Sequence, residues 1–292
     1  MKIAIYGKPT PNELNAALPG LIARMHDKGF HVAVYARFAA FLKKQWSLPE
    51  GVELFTREDV RIDEFAFLVS VGGDGTLLDT ATLIGNSGVP VIGINTGRLG
   101  FISSATIDEM EAVCDAVLNK NFRVEPRTML QLHSSKDYFA SNNFALNELT
   151  VLKKDTAAMI RIDVSLDGEF LNSYWADGLI VSTPTGSTAY SLSCGGPIVV
   201  PGSENFIITP IAPHNLNVRP VVVSHKARIG IKVSGRSDAF LLALDSRQGE
   251  MGQGETLEIT RAPFYLNIIQ PPGHSFLSTL RNKMAWGYDK RN

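Results

Sequence analysis

Three glycines around one carboxylate, Gly72-Gly73-Asp74-Gly75, are the residues of this sequence best suited to chemistry. The apolar run Phe67-Leu68-Val69-Ser70-Val71 leads into them, and Thr76-Leu77-Leu78 leads out with a helical pattern. A strand that is apolar on both faces reads as a buried parallel strand. Glycines let the chain turn sharply and let a ligand approach the main chain. A helix starting there aims unpaired N–H groups and the positive end of its dipole at the turn, which favours an anion such as phosphate. A carboxylate inside such a cradle is out of place unless it holds a metal or accepts a proton. The plain alternative is a tight turn with Asp74 as a helix N-cap. No Lys-Ser/Thr pair follows the glycines, and the dinucleotide glycine spacing is absent.

Three further stretches carry polar groups at strand ends. Asn147-Glu148 follows Asn142-Asn143, and a paired amide and acid can hold a ribose or an adenine edge, although asparagines also make turns. From Ser182 to Ser191 six Ser/Thr side chains crowd into Ser182-Thr183-Pro184-Thr185-Gly186-Ser187-Thr188-Ala189-Tyr190-Ser191. Uncharged donors and acceptors suit ribose hydroxyls, amides and phosphate oxygens; the alternative is an N-cap cluster in an ordinary loop. Asp245-Ser246-Arg247 closes the apolar run Phe240 to Leu244, where charge usually marks surface. Arg98 is placed to reach a phosphate or to sit in solvent. His133, His214, His225 and His274 have no ligand spacing, and no Gly-x-Ser-x-Gly elbow occurs.

The elements that must position these residues change character along the chain. Strands are expected at Lys2 to Tyr6, His31 to Tyr35, Glu64 to Val71 and Val89 to Asn95. Helices are expected at Glu13 to Lys28, made irregular by Pro19, and at Phe38 to Gln45, Leu77 to Ile84 and Asp108 to Leu118. Alternation of this kind predicts a parallel sheet with crossover helices, and ligands sit at the carboxyl ends of such strands. Gly72 to Gly75 and Asn95 to Arg98 both lie there. From residue 123 the texture is all-β: Arg127 to His133, Tyr138 to Asn147, Leu149 to Leu152, Met159 to Leu166, Glu169 to Ser173, and later Ile207 to Thr209, Val221 to Val223, Ala227 to Val233, Phe240 to Leu244 and Thr256 to Thr260. Asp167-Gly168 is a hairpin signal. Two stacked sheets are expected, followed by a helical tail from Ser275 to Trp286 that packs back on the first domain. The expected domains are 1–122 (α/β, nucleotide and phosphate binding), 123–274 (β-sandwich, dinucleotide binding) and 275–292 (the returning tail).

Composition narrows the class. Lys and Arg number 28 against 29 Asp and Glu, so no basic footprint for nucleic acid exists. No apolar run approaches the ~20 residues that span a bilayer. Two cysteines without metal or redox spacing read as thiols in a reducing cytoplasm, which is the expected location.

Taken together, the stretches resemble the NAD kinase family. The match lies in Gly72-Gly73-Asp74-Gly75, in Gly93-Ile94-Asn95 through Leu99-Gly100-Phe101, in Asn147-Glu148, in Asp177-Gly178, and in the hydroxyl-rich stretch with Gly195-Gly196-Pro197. The glycine–aspartate piece alone also occurs in lipid kinases and phosphofructokinases; the hydroxyl-rich stretch is more specific. The resemblance implies an α/β domain, a β-sandwich, and a site in the crevice between them. It implies transfer of the ATP γ-phosphoryl to the 2′-hydroxyl of the adenosine ribose of NAD, with a divalent metal (Mg or Mn), in a homodimer or homotetramer. It makes Asp74 the proton acceptor and Gly72, Gly73 and Gly75 the phosphate backbone, with Asn95 beside them. Asn147 and Glu148 become adenosine contacts, and Asp177 a contact on the nicotinamide side. Thr185, Gly186 and Ser187 join the binding set, Thr188, Ala189, Tyr190, Ser191, Leu192 and Ser193 become the loop that wraps the dinucleotide, and Ala212 becomes a small residue beside the ligand.

Two positions depart from the family. Trp175 stands where many bacterial relatives carry Arg, and Arg247 where they often carry Gln. Both are placed in the binding set. A guanidinium at 247 would favour negative charge near the pyrophosphate or the reacting ribose and hold phosphorylated product tightly. The alternative leaves Arg247 in solvent or paired with Glu250. A kinase of another hydroxyl compound would not need the hydroxyl-rich stretch, and a non-catalytic dinucleotide sensor would not need Asp74.

Overall fold

The structure is a computed structural model and describes residues 1–8, 17–44, 46–58, 60–97, 100–103, 105–140, 142–154 and 158–285. Arg98, Leu99, Leu14 and Trp286 fall outside them. The chain divides into two compact units, residues 1–126 with 266–292, and residues 127–265.

In the first unit, strands β1 (Lys2–Gly7), β2 (His31–Tyr35), β3 (Glu53–Phe55), β4 (Phe67–Val71), β5 (Val91–Asn95) and the short β6 (Ala105–Thr106) alternate with helices α1 (Ala17–Asp27), α2 (Ala36–Leu42), α3 (Asp74–Ile84) and α4 (Met110–Leu118). The strands pair in parallel in the order β5-β4-β1-β2-β3, with β6 alongside β5. Every residue of β4 and β5 is buried, as their uninterrupted apolar pattern requires. On α4, Met110, Val113, Cys114 and Val117 recur at helical spacing and join Leu21, Ile22 and Met25 of α1 in the core. Pro19 lies within α1, at the start of its described residues.

The second unit is all-β. Strands β7 (Arg123–Ser134), β8 (Phe144–Ala145), β9 (Glu148–Lys153), β10 (Ile160–Leu166), β11 (Glu169–Ala176) and β12 (Gly178–Ser182) precede helix α5 (Tyr190–Ser193). Strands β13 (Asn205–Ile211), β14 (Val221–Ser224), β15 (Ile229–Ser234), β16 (Ala239–Leu244), β17 (Arg247–Gly252) and β18 (Thr256–Gln270) follow it. One sheet runs β14-β13-β12-β9-β16-β17; in the other, β11-β10-β15-β18 are neighbours and β7 pairs β18. Ile162, Ile231 and Leu257 from one sheet share a core with Val151, Ile208 and Leu242 from the other, which makes a sandwich. Asp167 and Gly168 both have positive φ, 50° and 87°, and turn β10 into β11 as the hairpin signal predicts.

Four expectations need correction. Tyr138 to Asn147 is strand only at Phe144–Ala145, because a turn closes at Asn142 N–H to Phe139 C=O (3.0 Å) and Ala140 takes a left-handed φ of 48°. β3 is only three residues long and two of them are exposed, too short to show a period, so no strand is expected there. β17 carries Gly249 and Gly252 between charges, which hid its period of two. β18 continues through Pro263 to Gln270; the proline is exposed, where no ladder donor is missed.

The helical tail is α6 (Phe276–Met284), opened by a Ser275 capping box with Ser278. It belongs to the first unit: Leu280 is buried and Lys283 lies 4.7 Å over the Phe101 ring.

Candidate functional site

In the first unit the site is built on the turn from β4 into α3. Gly72 has φ +149°, and a Cβ there would stand 2.3 Å from Thr76 Oγ1, so this position demands glycine. Gly73 is the N-cap of α3, in extended backbone, and its carbonyl accepts from Thr76 N–H at 2.9 Å. Gly73 and Gly75 have open space where a side chain would be, so the fold itself does not require glycine at either. This corrects the expectation that all three glycines serve the turn.

Asp74 is the first residue of α3, not its cap. Its carboxylate turns onto the segment after β5. Oδ2 accepts from Phe101 N–H at 2.8 Å; Oδ1 accepts from Ile102 N–H (3.3 Å), Ser103 N–H (3.4 Å) and Ser103 Oγ (3.3 Å). A Cβ on Gly100 would lie 1.7 Å from Asp74 Oδ1, so glycine there lets the carboxylate dock. Four donors thus orient a half-buried carboxylate. Asn95 is buried, and its Oδ1 accepts from Gly97 N–H at 2.8 Å. That Asx turn shapes the loop after β5.

In the second unit three distant stretches converge. Glu148 opens β9 opposite Ser182 of β12. Thr183 N–H donates to Asn147 C=O at 2.8 Å, and Thr183 Oγ1 donates to Leu146 C=O at 2.5 Å. Gly186 backs onto the same peptide; a Cβ there would stand 2.2 Å from Asn147 O. From the β16–β17 turn, the Asp245 carboxylate accepts the N–H groups of Leu146, Asn147 and Glu148. Asn147 Oδ1 and Glu148 Oε2 are buried and have no partner within the protein. Burial, and then the Asp245 carboxylate, push the Glu148 carboxyl up to about 8. Burial likewise pushes Asp245 up, opposed by its three N–H donors and by Arg247.

The hydroxyl-rich stretch is largely inward-facing. Thr185, Ser187 and Ser191 are buried. Ser187 Oγ donates to Pro184 C=O at 2.7 Å and accepts from Val199 N–H at 3.0 Å. Ser191 Oγ and Thr209 Oγ1 are 2.8 Å apart, and Thr185 Oγ1 accepts from buried Arg127 at 3.5 Å. These hydroxyls hold the turn together. Thr188, Ala189, Tyr190, Leu192 and Ser193 are the members left at the surface.

Trp175, Asp177 and Ala212 gather at the far end of β12 from Glu148. Gly178 pairs with Leu152 and Ile211 there, four residues from Ser182, or roughly 13 Å by strand rise. Asp177 Oδ1 meets Lys153 Nζ at 2.6 Å, Ala212 has φ +44°, and Trp175 is half exposed. Helix α5 packs along β12: Asp177 contributes to raising the Tyr190 phenol, after burial and Cys194, and Glu148 contributes to raising the Cys194 thiol, after burial.

Arg247 is neither in solvent nor paired with Glu250, whose partner is Lys154. Nη1 and Nη2 donate to the carbonyls of Asn142 and Phe144, and Nε donates to Leu244 C=O at 3.2 Å. The guanidinium lies 5.7 Å from the Phe144 ring centroid and 5.8 Å from that of Phe139. It braces the chain segment ahead of Asn147.

Residues 22–122 match the ATP-NAD kinase N-terminal domain, and residues 146–271 match the ATP-NAD kinase C-terminal domain. A NAD kinase of Flavobacterium psychrophilum is 46% identical over 294 residues, covering 100% of both chains. The chain belongs to the NAD kinase family. Family members carry out ATP-dependent phosphorylation of NAD to NADP, and the chain is a kinase of this kind. Two solved structures are similar throughout. A yeast NADH kinase complexed with NADH has a TM-score of 0.87 at 26% identity, covering 99% of this chain and 88% of that one. A NAD kinase from Archaeoglobus fulgidus in complex with ATP has a TM-score of 0.77 at 26% identity, covering 98% and 99%. The sequence singles out Asp74 and Asn147-Glu148 as candidates but does not show what holds them. Ser103 carried no signal. Asp245 was noted only as charge at a strand end.

Proposed function

We propose that Asp74 is the proton acceptor for phosphorylation of the adenosine-ribose 2′-hydroxyl of NAD. The supporting observation is the carboxylate's geometry. Oδ2 has one donor, Phe101 N–H, and retains acceptor capacity for a substrate hydroxyl, while Oδ1 is fixed by Ile102 and Ser103. As the ribose oxygen forms its bond to the γ-phosphorus, the bond from that phosphorus to the ADP oxygen breaks and the hydroxyl proton passes to Asp74. The first-turn N–H groups of α3 and the open space at Gly73 and Gly75 suit phosphate. Asn147 Oδ1 and Glu148 Oε2 are buried groups awaiting partners, and adenosine supplies them.

Among the described residues there is no cluster of three or more His, Cys, Asp or Glu that could hold a metal ion. We take Mg²⁺ or Mn²⁺ to enter with the ATP phosphates, as part of the substrate. The exposed part of the 188–193 segment wraps the dinucleotide, with Asp177, Ala212 and Trp175 on the nicotinamide side. We take the first unit as the phosphate-handling domain, the second as the dinucleotide domain, and the protein as a cytoplasmic homodimer or homotetramer. No helix among the described residues is long and apolar enough to cross a membrane.

Asp74→Asn, assayed for NADP formation with NAD, ATP and Mg²⁺, tests this reading. The amide cannot take a proton, so kcat falls by ~10²–10⁴ while NAD binding persists. Near-normal turnover would remove Asp74 from the chemistry.

A further inference from the structure

The turn at Leu146, Asn147 and Glu148 has all its backbone polar groups engaged. Leu146 N–H donates to Asp245 Oδ2 at 2.8 Å, and Asn147 and Glu148 N–H donate to Asp245 Oδ1 at 2.8 and 3.2 Å. Leu146 C=O accepts from Thr183 Oγ1 and Asn147 C=O from Thr183 N–H. Glu148 C=O accepts from Asp245 N–H at 3.0 Å. So Asp245 alone holds four of the six groups, and Thr183 holds the other two. The two side chains that this turn presents are the ones with unpartnered buried oxygens. A backbone fixed on every group, carrying side chains fixed on too few, is what a preorganised ligand contact requires.

Asp245 reaches this position from a two-residue turn. Leu244 pairs with Arg247 across β16 and β17, and Asp245 takes a left-handed φ of 52°, which Asp and Asn tolerate better than most residues. Its neighbour Arg247 braces the carbonyls of Asn142 and Phe144 just upstream. The β16–β17 hairpin thus grips the whole approach to the adenosine contacts.

We propose that Asp245 is a positioning residue for dinucleotide binding: through three consecutive backbone N–H groups it aims Asn147 and Glu148 at the adenosine. The proposal rests on the reading of Asn147 and Glu148 as adenosine contacts. Asp245 does not touch the dinucleotide; it acts on affinity through the turn.

The experiment compares steady-state kinetics of wild type, Asp245→Asn, Asn147→Ala and the double variant, with NAD and ATP varied in turn. Asparagine keeps the left-handed backbone but presents an NH₂ group to one of the three N–H donors. Asp245→Asn should raise KM for NAD about ten-fold, the effect of one buried hydrogen bond on an equilibrium. KM for ATP should stay within about two-fold, and the double variant should fall well short of the product of the single effects. Should Asp245→Asn give no soluble protein, Asp245→Glu, which keeps the charge and displaces the oxygens by one methylene, is read in the same way. A loss of kcat or of thermal stability with no split between the two KM values makes Asp245 merely structural and overturns the proposal. So do independent, multiplying effects of Asp245→Asn and Asn147→Ala. If Asn147→Ala itself leaves KM for NAD unchanged, the reading of the adenosine contacts fails first and takes the proposal with it.

Discussion

Glu148 should make the apo-protein less stable as pH rises, and Glu148→Gln should remove that dependence. The carboxyl is pushed from 4.5 to about 8, first by burial and then by the Asp245 carboxylate. Below pH 4.5 the group is protonated in both folded and unfolded chains and contributes nothing to the difference. Between 4.5 and 8 the unfolded chain has released its proton and the folded protein has not, so stability falls with pH. Above 8 both are ionised and the full cost is present, up to about 5 kcal/mol at ~1.4 kcal/mol per pH unit. Asp245 and Cys194 face the carboxyl, and Arg247 faces Asp245, so these groups set the steepness of the fall. Glutamine has nearly the same shape and cannot ionise. Urea unfolding of both proteins at intervals from pH 5 to 9, without NAD, gives the difference directly. The variant's advantage should grow by several kcal/mol across that range, mostly below pH 8. A difference that is constant with pH would refute the reasoning and show a solvated carboxylate. The protonated acid is also a donor, so KM for NAD should rise above pH 8 in wild type and stay flat in Glu148→Gln.

Gly100→Ala drives a methyl into Asp74 Oδ1, 1.7 Å from the ideal Cβ, and the displaced carboxylate should cost ~10²-fold in kcat with NAD affinity intact by calorimetry. Gly186→Ala sets a Cβ 2.2 Å from Asn147 O, backbone against backbone, and should lower both Tm and NAD affinity, with stability falling ~1–3 kcal/mol by denaturant titration. Arg247→Gln removes the brace on Asn142 and Phe144 and should weaken NAD and the inhibitor NADP by the same factor. A loss confined to NADP would instead put the guanidinium on the new phosphate.

Much of the fold was legible because its signals are local. β4 and β5 are apolar on both faces, and α4 repeats its core residues at helical spacing. Asp167-Gly168 could hardly be anything but a hairpin. What escaped was set by context. Pro263 argues against a strand in isolation, yet β18 places it at an exposed position. Tyr138 to Asn147 has strand composition, but Ala140 takes φ 48° and breaks it. The site divides in the same way. Asp74 stood out because a carboxylate among glycines conflicts with its surroundings. Ser103, Thr183 and Asp245 did not, because each acts on a partner far away in sequence.

The hydroxyl-rich stretch shows what its small polar side chains do within the fold. Hydroxyls free to bind a sugar would be exposed, and each would lose side-chain freedom when the ligand arrived. Here Thr183 holds Leu146 and Asn147, Ser187 ties Pro184 to Val199, and Ser191 meets Thr209. Each of these hydroxyls is buried and has its partner before any ligand binds. Gly186 lets the turn press on the Asn147 peptide, and Gly196 does the same against Ser191, where a Cβ would meet Oγ at 2.3 Å. Small hydroxyl residues and glycines therefore serve one purpose: a buried, cross-braced turn that holds in place its outer members Thr188, Ala189, Tyr190, Leu192 and Ser193. Asp245 does from the neighbouring strand pair what Thr183 does from within: Asp245 holds three N–H groups and the Glu148 carbonyl, and Thr183 holds the carbonyls of Leu146 and Asn147. On the function proposed above, binding specificity in this unit follows from backbone held rigid by buried polar groups, with the buried, unpartnered oxygens of Asn147 and Glu148 turned to the ligand.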